Sequence, residues 1–288
     1  MKRILITGKN SYIGQTFINW VKANNVDYKI DTIDLKNPDW KKHDFSIYDC
    51  LIHLAAIVHK KGQEDDIYYR INRDLAVETA KKAKNEGVKQ FIFLSTMSVY
   101  GKNSAVINFC TKPAPNNAYG KSKLEAEKLI QQLRSLEFLV TILRPPMIYG
   151  YNSPGNYSRI SKLAKKIPIF PKVENKRSML FIENLHSFFK LSIDNNLAGT
   201  YFPQNEKLVN TSILVKQIAL ENNKKVYLTP GFRRIINFLG KRITIFSKIF
   251  GSLYYDSTVP GFPGTKQENI KFLYQEKNFD ESIKKSEI

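Results

Sequence analysis

The sequence predicts an α/β fold built on a doubly wound parallel sheet. Short apolar stretches alternate with amphipathic stretches through the first half of the chain, and a glycine turn joins the first strand to the first helix. Small or hydroxyl-bearing residues follow two of the later strands. Ligands of an open α/β sheet bind at the carboxyl ends of its strands, so the same pattern indicates where a site would lie.

Six predicted strands alternate with helices. The strands are 2–7, 28–35, 49–56, 88–94, 138–143 and a last short strand at 198–202. The helices are 15–23, 66–85, one that contains Tyr119 and Lys123, and 181–194. Short apolar runs bounded by turn residues support the strands, and apolar residues at a helical spacing support the helices.

The composition is that of a globular protein with a strongly basic surface. The 288 residues are 42% hydrophobic, which is enough for one large core or two modest lobes. The net charge of +19 suits an acidic partner, but the lysines are spread along the chain and no nucleic-acid motif is present, so a solvated lysine surface is favoured. No apolar run reaches the ~18 residues of a membrane span. With two cysteines, Cys50 and Cys110, and no recognisable secretion signal, we expect a cytoplasmic protein.

A glycine turn follows the first predicted strand. It reads Gly8-Lys9-Asn10-Ser11-Tyr12-Ile13-Gly14. Such a turn lets backbone N–H groups and the helix dipole meet a pyrophosphate. Related loops have a middle glycine where this chain has the small side chain of Ser11. We therefore predict that Gly8, Ser11, Tyr12, Ile13 and Gly14 bind a dinucleotide.

The second strand ends near Asp34, about 20 residues beyond the glycine turn, where an acid can bind a ribose 2′-OH and favours NAD. Lys9 and Lys36 lie close to it in sequence and could receive a 2′-phosphate, which favours NADP. These residues leave the choice between the two cofactors open.

The third strand ends in small residues. Ala55 and Ala56 would let a dinucleotide lie close to the backbone, and with Leu54 they are predicted to bind the cofactor. His53 lies within the strand and is predicted to be a core histidine with satisfied ring nitrogens. His59, just past the strand end, is the better candidate for a substrate contact.

A tyrosine and a lysine stand four residues apart in one predicted helix. Residues at i and i+4 share one helix face, so the Tyr119 phenol and the Lys123 ammonium point the same way. A phenol has a pKa of about 10, and a nearby positive charge lowers it. We predict that Tyr119 gives and takes a proton near neutral pH.

The pattern changes after Gly150, where prolines and glycines interrupt the chain. We predict a dinucleotide-binding domain over 1–150 and a mainly substrate-binding lobe over 151–288, with parts of about 178–209 returning to the first sheet.

The segment 232–250 is basic and apolar. Peripheral contact with a membrane surface is one interpretation. Packing of a basic helix onto the lobe is the other and is favoured, because Gly240 interrupts the apolar spacing.

Six motifs occur in a characteristic order. They are Thr7-Gly8 with Tyr12-Ile13-Gly14, His53-Leu54-Ala55-Ala56, Asn72, Ser95-Thr96 with Val99-Tyr100-Gly101, Tyr119 with Lys123, and Arg144-Pro145 with Tyr149-Gly150. In these motifs the chain resembles the extended short-chain dehydrogenase/reductases, the NAD-dependent epimerase/dehydratase family of nucleotide-sugar enzymes. The resemblance covers nearly the whole chain, and 144–150 and 175–185 look like the branch found in bacterial capsule and O-antigen clusters.

The resemblance implies a Rossmann-like sheet with an interleaved substrate lobe, NAD or NADP as cofactor, and a homodimer. It implies that Thr96 is the catalytic hydroxyl and Tyr119 the acid/base, while Lys123 holds the nicotinamide ribose and lowers the pKa of the tyrosine. Asn72 is implied to contribute to the cofactor site. No metal, nucleic acid or transmembrane segment is implied.

A UDP-sugar is the implied substrate. Arg177 falls where epimerases place an arginine on the UDP phosphates, a contact suited to a guanidinium. Asn156 is implied to contact the nucleotide sugar.

The implied reaction is hydride transfer at C4 of a UDP-hexose in surface-polysaccharide precursor synthesis. A UDP-4-keto-6-deoxy-N-acetylhexosamine 4-reductase is favoured, since Met147 stands where galactose-type epimerases often have asparagine. A UDP-glucose or UDP-N-acetylglucosamine 4-epimerase is the alternative. Dehydration is disfavoured, because Met97 follows Thr96 where a dehydratase has an acid.

A function of another class is also compatible with the sequence. Fold does not give function, and a non-catalytic dinucleotide-binding regulator or an RNA-binding protein would suit the net charge of +19. The complete set of Thr96, Tyr119 and Lys123 favours the enzyme, because a sensor needs no proton donor.

Overall fold

The computed structural model describes residues 1–58, 64–103, 105–230 and 250–288. His59 and all but the last residue of the 232–250 segment lie outside these ranges, so the predictions made for them are not tested.

The described residues form two compact units. The first comprises Met1–Gly101, Lys112–Arg144 and Phe188–Tyr201, and the second comprises Lys102–Thr111, Pro145–Ser187 and Phe202–Ile288. The division at Gly150 into a cofactor domain and a substrate lobe stays a prediction.

Within the described residues, the strands and helices follow one another along the chain. The strands are β1 (Lys2–Thr7), β2 (Tyr28–Ile33), β3 (Cys50–His53), β4 (Gln90–Leu94), β5 (Ala105–Ile107), β6 (Leu139–Leu143), β7 (Met147–Tyr149), β8 (Ile169–Pro171), β9 (Met179–Phe181), β10 (Gly199–Tyr201), β11 (Tyr227–Thr229), β12 (Leu253–Tyr255), β13 (Lys266–Gln267) and β14 (Ile270–Lys271). The helices are α1 (Tyr12–Ala23), α2 (Asp65–Tyr68), α3 (Leu75–Asn85), α4 (Ala118–Gln131), α5 (Asn156–Ala164), α6 (Ile182–Asp194), α7 (Thr211–Glu221) and α8 (Phe279–Glu287).

A six-stranded sheet is the centre of the first unit. Its strand order is β10-β6-β4-β3-β1-β2, and every neighbouring pair is parallel. The chain runs outward from β1 to β2 on one side and from β3 to β10 on the other. The predicted doubly wound parallel sheet is therefore confirmed, with its topological switch point between β1 and β3, where such folds bind ligands.

Apolar side chains cover both faces of this sheet. On one face Leu5, Leu51 and Phe91 are buried in a cluster with Ala80 of α3 and Ala126 of α4. On the other face the ring of Phe17 in α1 packs edge-on against Phe189 of α6, with the ring centres 5.3 Å apart. Strands covered on both faces carry the continuous apolar runs seen in the sequence.

The predicted helix 66–85 is continuous but not regular. Residues Tyr69–Asp74 form a π-helical turn between α2 and α3. Asn72 lies in this turn and is fully buried. Its side-chain amide forms two hydrogen bonds with the backbone of Ile57, at 2.9 and 3.1 Å, which compensate for the weaker geometry of a π turn.

The described part of the second unit contains small paired strands, the helices α5, α7 and α8, and the first residues of α6. The pairs β7–β9, β8–β11 and β5–β12 are parallel, and β13–β14 is antiparallel. Helix α7 packs against α5 and α8. Among the described residues, no helix is both long enough and apolar enough to cross a bilayer.

A buried carboxylate fixes α8 to its neighbours. Glu287 accepts hydrogen bonds from the Tyr157 hydroxyl (2.8 Å), the Ser161 hydroxyl (2.9 Å) and the Asn222 amide (3.1 Å), and it pairs with Lys165 at 2.8 Å. Burial would raise the pKa of Glu287, but these four donors outweigh it and hold the pKa below its ordinary value. The stabilisation is therefore present above the unfolded-state pKa and is lost as the pH falls through the lower folded-state pKa.

Replacing Glu287 with alanine is expected to lower the free energy of unfolding by roughly 2–3 kcal/mol, because it leaves buried donors without an acceptor. Urea unfolding at pH 7 measures the change. Glu78→Ala is the control, since Glu78 pairs with Lys41 on the surface of α3 and is expected to cost less than about 1 kcal/mol. Equal losses in the two variants would contradict the role given to Glu287.

Candidate active site

The ends of β1 and β3 approach each other closely beside the switch point. Gly8 follows β1 with φ of +82°, and a Cβ atom built on it would lie 3.1 Å from the backbone nitrogen of Ala55. Leu54, Ala55 and Ala56 follow β3 and are partly exposed. A side chain at residue 8 would be strained by its φ and would press on this backbone.

Ser11 begins the first helix. Its hydroxyl accepts a hydrogen bond from the Gly14 N–H at 3.2 Å and so caps α1. A Cβ atom at Gly14 would lie 2.7 Å from this hydroxyl and 3.3 Å from Ile6. Because α1 begins at Tyr12 rather than at Gln15, Tyr12 and Ile13 form its first turn.

These residues fit a dinucleotide. Gly8 and Gly14 leave open the space that a Cβ atom would fill, and the N-terminus of α1 presents backbone N–H groups to an anion. Beyond β2, the Asp34 carboxylate accepts the backbone N–H of Lys36 at 3.0 Å, while the side chains of Lys9 and Lys36 are exposed. The individual cofactor contacts stay predictions.

The Thr7 hydroxyl connects the ends of β1 and β3, a role that we did not predict from the sequence. Its hydroxyl oxygen accepts the N–H groups of Leu54 (3.2 Å) and Ala55 (3.3 Å) and lies 3.2 Å from Nδ1 of His53. A threonine ending a strand just before a glycine turn was the available signal.

His53 is a buried residue of the sheet. Its ring stacks against those of Phe91 and Phe93. Burial, and then the positive charge of Lys123, lowers the pKa of His53 to about 3, so the ring is neutral at pH 7. The prediction of a satisfied histidine is wrong for Nε2, which has no hydrogen-bond partner within the described residues.

Thr96 and Tyr119 lie together at the first turn of α4. The Asn117 side chain caps this helix by accepting the Gly120 N–H at 2.9 Å. Thr96 follows β4 and accepts the Ser98 N–H at 3.1 Å. A side-chain hydrogen bond joins Thr96 to Tyr119.

Burial dominates the proton affinities of the pair on α4. It raises the pKa of Tyr119 to about 12, and the hydrogen bond from Thr96 lowers it only in part. Burial also lowers the pKa of Lys123 to about 7. The prediction that Lys123 lowers the pKa of Tyr119 towards 7 is therefore wrong for the protein alone. Burial destabilises the charged form of both groups, the phenolate and the ammonium.

Lys123 lies against an aromatic ring that sequence reasoning missed. Its Nζ atom is 4.2 Å from the centre of the Phe93 ring, a cation–π contact. Phe93 belongs to β4, three residues before Thr96, so the same strand supports the ammonium and leads to the hydroxyl.

Asn72 connects the π turn to α4. Besides its two bonds to Ile57, its amide donates to the Ser122 hydroxyl at 3.3 Å, and Ser122 donates to the Tyr119 carbonyl at 3.0 Å. These contacts position the backbone that carries the phenol. A direct contact of Asn72 with a cofactor stays a prediction.

A buried ion pair lies one turn further along α4. Arg144 donates to both oxygens of Glu127, with Nη2 at 2.5 Å from Oε2 and Nε at 3.1 Å from each oxygen. Its Nη1 donates to the Tyr100 hydroxyl at 2.9 Å. The Ser95 hydroxyl also donates to Glu127.

Of the three predicted substrate residues, Thr96 lies in the first unit, and Arg177 and Asn156 lie in the second. Arg177 pairs its backbone with Val209, and its Nη1 donates to the carbonyl of Gly251 at 2.8 Å. Burial lowers the pKa of Arg177. Asn156 is exposed at the first position of α5. Their contacts with a nucleotide sugar stay predictions. Within the described ranges, no group of three His, Cys, Asp or Glu side chains is placed to hold a metal.

Comparison with protein families gives a match over most of the chain. The model of the NAD dependent epimerase/dehydratase family matches residues 4–201.

Two curated proteins are similar in sequence. The chain is 30% identical over 235 residues to the UDP-glucose 4-epimerase of Vibrio cholerae, covering 76% of this chain and 68% of that protein. It is 29% identical over 219 residues to the N-acetyl-alpha-D-glucosaminyl-diphospho-ditrans,octacis-undecaprenol 4-epimerase of Escherichia coli O157:H7, covering 74% of this chain and 66% of that protein.

A solved structure shares the fold along the whole chain. The UDP-glucuronic acid 4-epimerase of Bacillus cereus, in complex with NAD, superposes with a TM-score of 0.70 at 18% identity, covering 99% of this chain and 97% of that one.

Two glycines with the same backbone conformation provide a test of the nucleotide cradle. Gly8 and Gly87 have φ of +82° and +81°, but a Cβ atom on Gly87 would meet nothing within 4 Å. Gly87→Ala is expected to cost only the strain of a positive φ, about 1–2 kcal/mol in urea unfolding. Gly8→Ala is expected to cost at least about 1 kcal/mol more and to weaken NADH binding at least about tenfold, because the new methyl group meets the Ala55 backbone. Equal stability and equal NADH affinity in the two variants, by fluorescence titration, would refute the crowding argument.

Proposed function

This chain belongs to the NAD-dependent epimerase/dehydratase family, and on that premise we propose that it interconverts the C4 epimers of a UDP-linked hexose. It is a nucleotide-sugar enzyme that uses NAD or NADP. The observation that carries the proposal is the hydrogen-bonded pair of Thr96 and Tyr119, one helical turn from the buried Lys123.

The proton step at C4 is assigned to Tyr119. With a pKa of about 12 the phenol is neutral at pH 7 and suited to donate its proton to O4 as a C4 ketone becomes an alcohol. In the reverse direction the phenolate accepts the proton of the C4 hydroxyl. Thr96 holds the phenol and is suited to donate a hydrogen bond to the charged oxygen. A nicotinamide supplies the hydride chemistry at C4 when bound.

A positive charge at Lys123 is needed for the oxidative direction. Removing a proton from the sugar hydroxyl requires a phenolate, which a neighbouring ammonium stabilises. An epimerase runs both directions in one turnover, so Tyr119 first accepts a proton and later returns it to the opposite epimer.

The sequence relatives favour epimerisation over reduction, which is the reverse of the ranking expected from the sequence alone. The Vibrio cholerae and Escherichia coli proteins, at 30% and 29% identity, are both 4-epimerases, and this supports epimerisation first. Reduction of a UDP-4-keto-6-deoxy-N-acetylhexosamine is the second candidate, favoured by Met147 in place of the asparagine of galactose-type epimerases. Both reactions fit surface-polysaccharide precursor synthesis.

The sugar carrier has two candidate forms. The Vibrio cholerae relative is named for UDP-glucose, and the Escherichia coli relative for a sugar on diphospho-undecaprenol. Both carriers place a diphosphate next to the sugar, which Arg177 is proposed to bind.

Purified protein can be offered each class of substrate. Interconversion of UDP-glucose and UDP-galactose, or of their N-acetyl forms, without consumption of added NADH is the expected result. The same assay with N-acetylglucosaminyl-diphospho-polyprenol tests the lipid carrier. Stoichiometric oxidation of NADH or NADPH by a UDP-4-keto-6-deoxy-N-acetylhexosamine would instead establish the reductase. Absence of every conversion, with a bound dinucleotide, would favour the regulator.

Replacing Tyr119 with phenylalanine is expected to lower kcat at least about 100-fold, because the proton donor is lost. NADH affinity and the melting temperature should change little, because the ring still fills its site. Tyr227→Phe is the control, since Tyr227 is exposed in the second unit, and its activity should equal that of the wild type. Full activity of Tyr119→Phe would exclude the proposed acid/base role.

A further inference from the structure

Three ionisable residues occupy one buried face of α4. Tyr119, Lys123 and Glu127 follow one another at intervals of four residues and are 9%, 2% and 1% exposed. Residues spaced this way are neighbours on a helix surface. The carboxylate of Glu127 is therefore the next charged group along the helix from the ammonium of Lys123.

Apart from Glu127 and the ring of Phe93, the surroundings of Lys123 do not favour its charge. Burial lowers the pKa of Lys123, and the Glu127 carboxylate is the group that raises it. The ring of Phe93 offers a partial cation–π compensation at 4.2 Å. From β3, His53 is neutral and adds no charge, and Tyr119 is a neutral phenol on the same helix.

Two residues donate hydrogen bonds to the Glu127 carboxylate. Arg144, after β6, grips both of its oxygens, and Ser95, after β4, donates to one of them. Tyr100 accepts the remaining contact from the guanidinium. These donors fix the orientation of the carboxylate in the structure. It acts on Lys123 from a fixed place, one helical turn away.

We infer that Glu127 is a positioning residue that keeps Lys123 protonated at the working pH, and that Arg144 limits this effect by holding the carboxylate. The inference rests on the proposed function, in which the ammonium supports the phenolate of Tyr119. Lys123, Glu127 and Arg144 together carry one net positive charge inside the first unit, which favours a phenolate over a neutral phenol.

Removing the charge of Glu127 and removing that of Arg144 are expected to shift the pKa of Lys123 in opposite directions. Two unit charges about 6 Å apart at an effective dielectric constant of about 20 shift a pKa by about 2 units. Glu127→Gln is expected to move the alkaline limb of the kcat/KM profile down by about 1–2 pH units, because Lys123 then loses its proton earlier. Arg144→Met is expected to move the same limb up, because the carboxylate then faces Lys123 as its nearest cation.

Glu125→Gln is the matched control for these profiles. Glu125 lies on the same helix and pairs with Arg73 at 2.7 Å on a more exposed face. Its profile should coincide with that of the wild type. Glu127→Asp keeps the charge and should restore most of the alkaline limb.

Lower activity in Glu127→Gln at every pH, with an unchanged profile, would overturn the inference and leave a structural role. If that variant does not fold, Arg144→Met tests the inference by its opposite sign. A limb that does not move, or that moves down, then overturns the inference. The melting temperature and NADH binding report folding in each case.

A second readout separates this inference from the proposed function. Titration of ¹⁵N-labelled lysine ammonium groups, with Lys123→Met used for assignment, gives the Lys123 pKa without any sugar substrate. A Lys123 pKa that falls by about 1–2 units in Glu127→Gln, or that rises in Arg144→Met, supports the inference even if every sugar fails to react. An unchanged Lys123 pKa contradicts it, whatever the activity.

Discussion

The face of α4 that carries Tyr119, Lys123 and Glu127 is buried against the sheet, and the cost of burying its charges constrains the surrounding structure. An ammonium and a carboxylate taken out of water require compensation within a few ångströms. The compensation comes from the carboxyl ends of the neighbouring strands, through the Phe93 ring, the Ser95 hydroxyl and the Arg144 guanidinium. The same edge of the sheet therefore supports both the packing of α4 and the charged groups of the candidate site.

Close approach of two backbones is the second constraint. Gly8 brings the end of β1 within reach of the residues after β3, and the Thr7 hydroxyl takes the N–H groups of Leu54 and Ala55. The space beside the N-terminus of α1 exists because no Cβ atom fills it. A surface of this kind recognises a phosphate through backbone N–H groups rather than through charged side chains, which explains why the turn tolerates Ser11 as a cap.

The Gly8 turn and the buried face of α4 lie side by side because of the order of the strands. β1 and β3 flank the switch point, and β4 and β6 follow directly. The proposed nucleotide site at the first pair and the proposed acid/base pair at the second suit the transfer of a hydride and a proton at one sugar carbon that we propose. The tyrosine, neutral in the protein alone, suits the reductive half of such a cycle. In the proposed mechanism the oxidative half needs a positive charge at Lys123, whose pKa is lowered by burial and raised by the Glu127 carboxylate.

Much of this protein could be read from the sequence. The alternation of strands and helices predicted the parallel sheet, the glycine turn predicted the connection of β1 to a helix, and the spacing of Tyr119 and Lys123 predicted their common face, because each depends on local periodicity or on a residue type with one physical use. The π turn at Tyr69–Asp74, the Thr7 bridge, the contact of Lys123 with Phe93 and the Glu127–Arg144 pair were decided only by the tertiary structure. Each joins residues that are far apart in the chain. The wrong direction predicted for the Tyr119 pKa has the same origin. Proximity to a lysine is visible in a sequence, whereas the loss of water around both groups depends on how the whole sheet is covered.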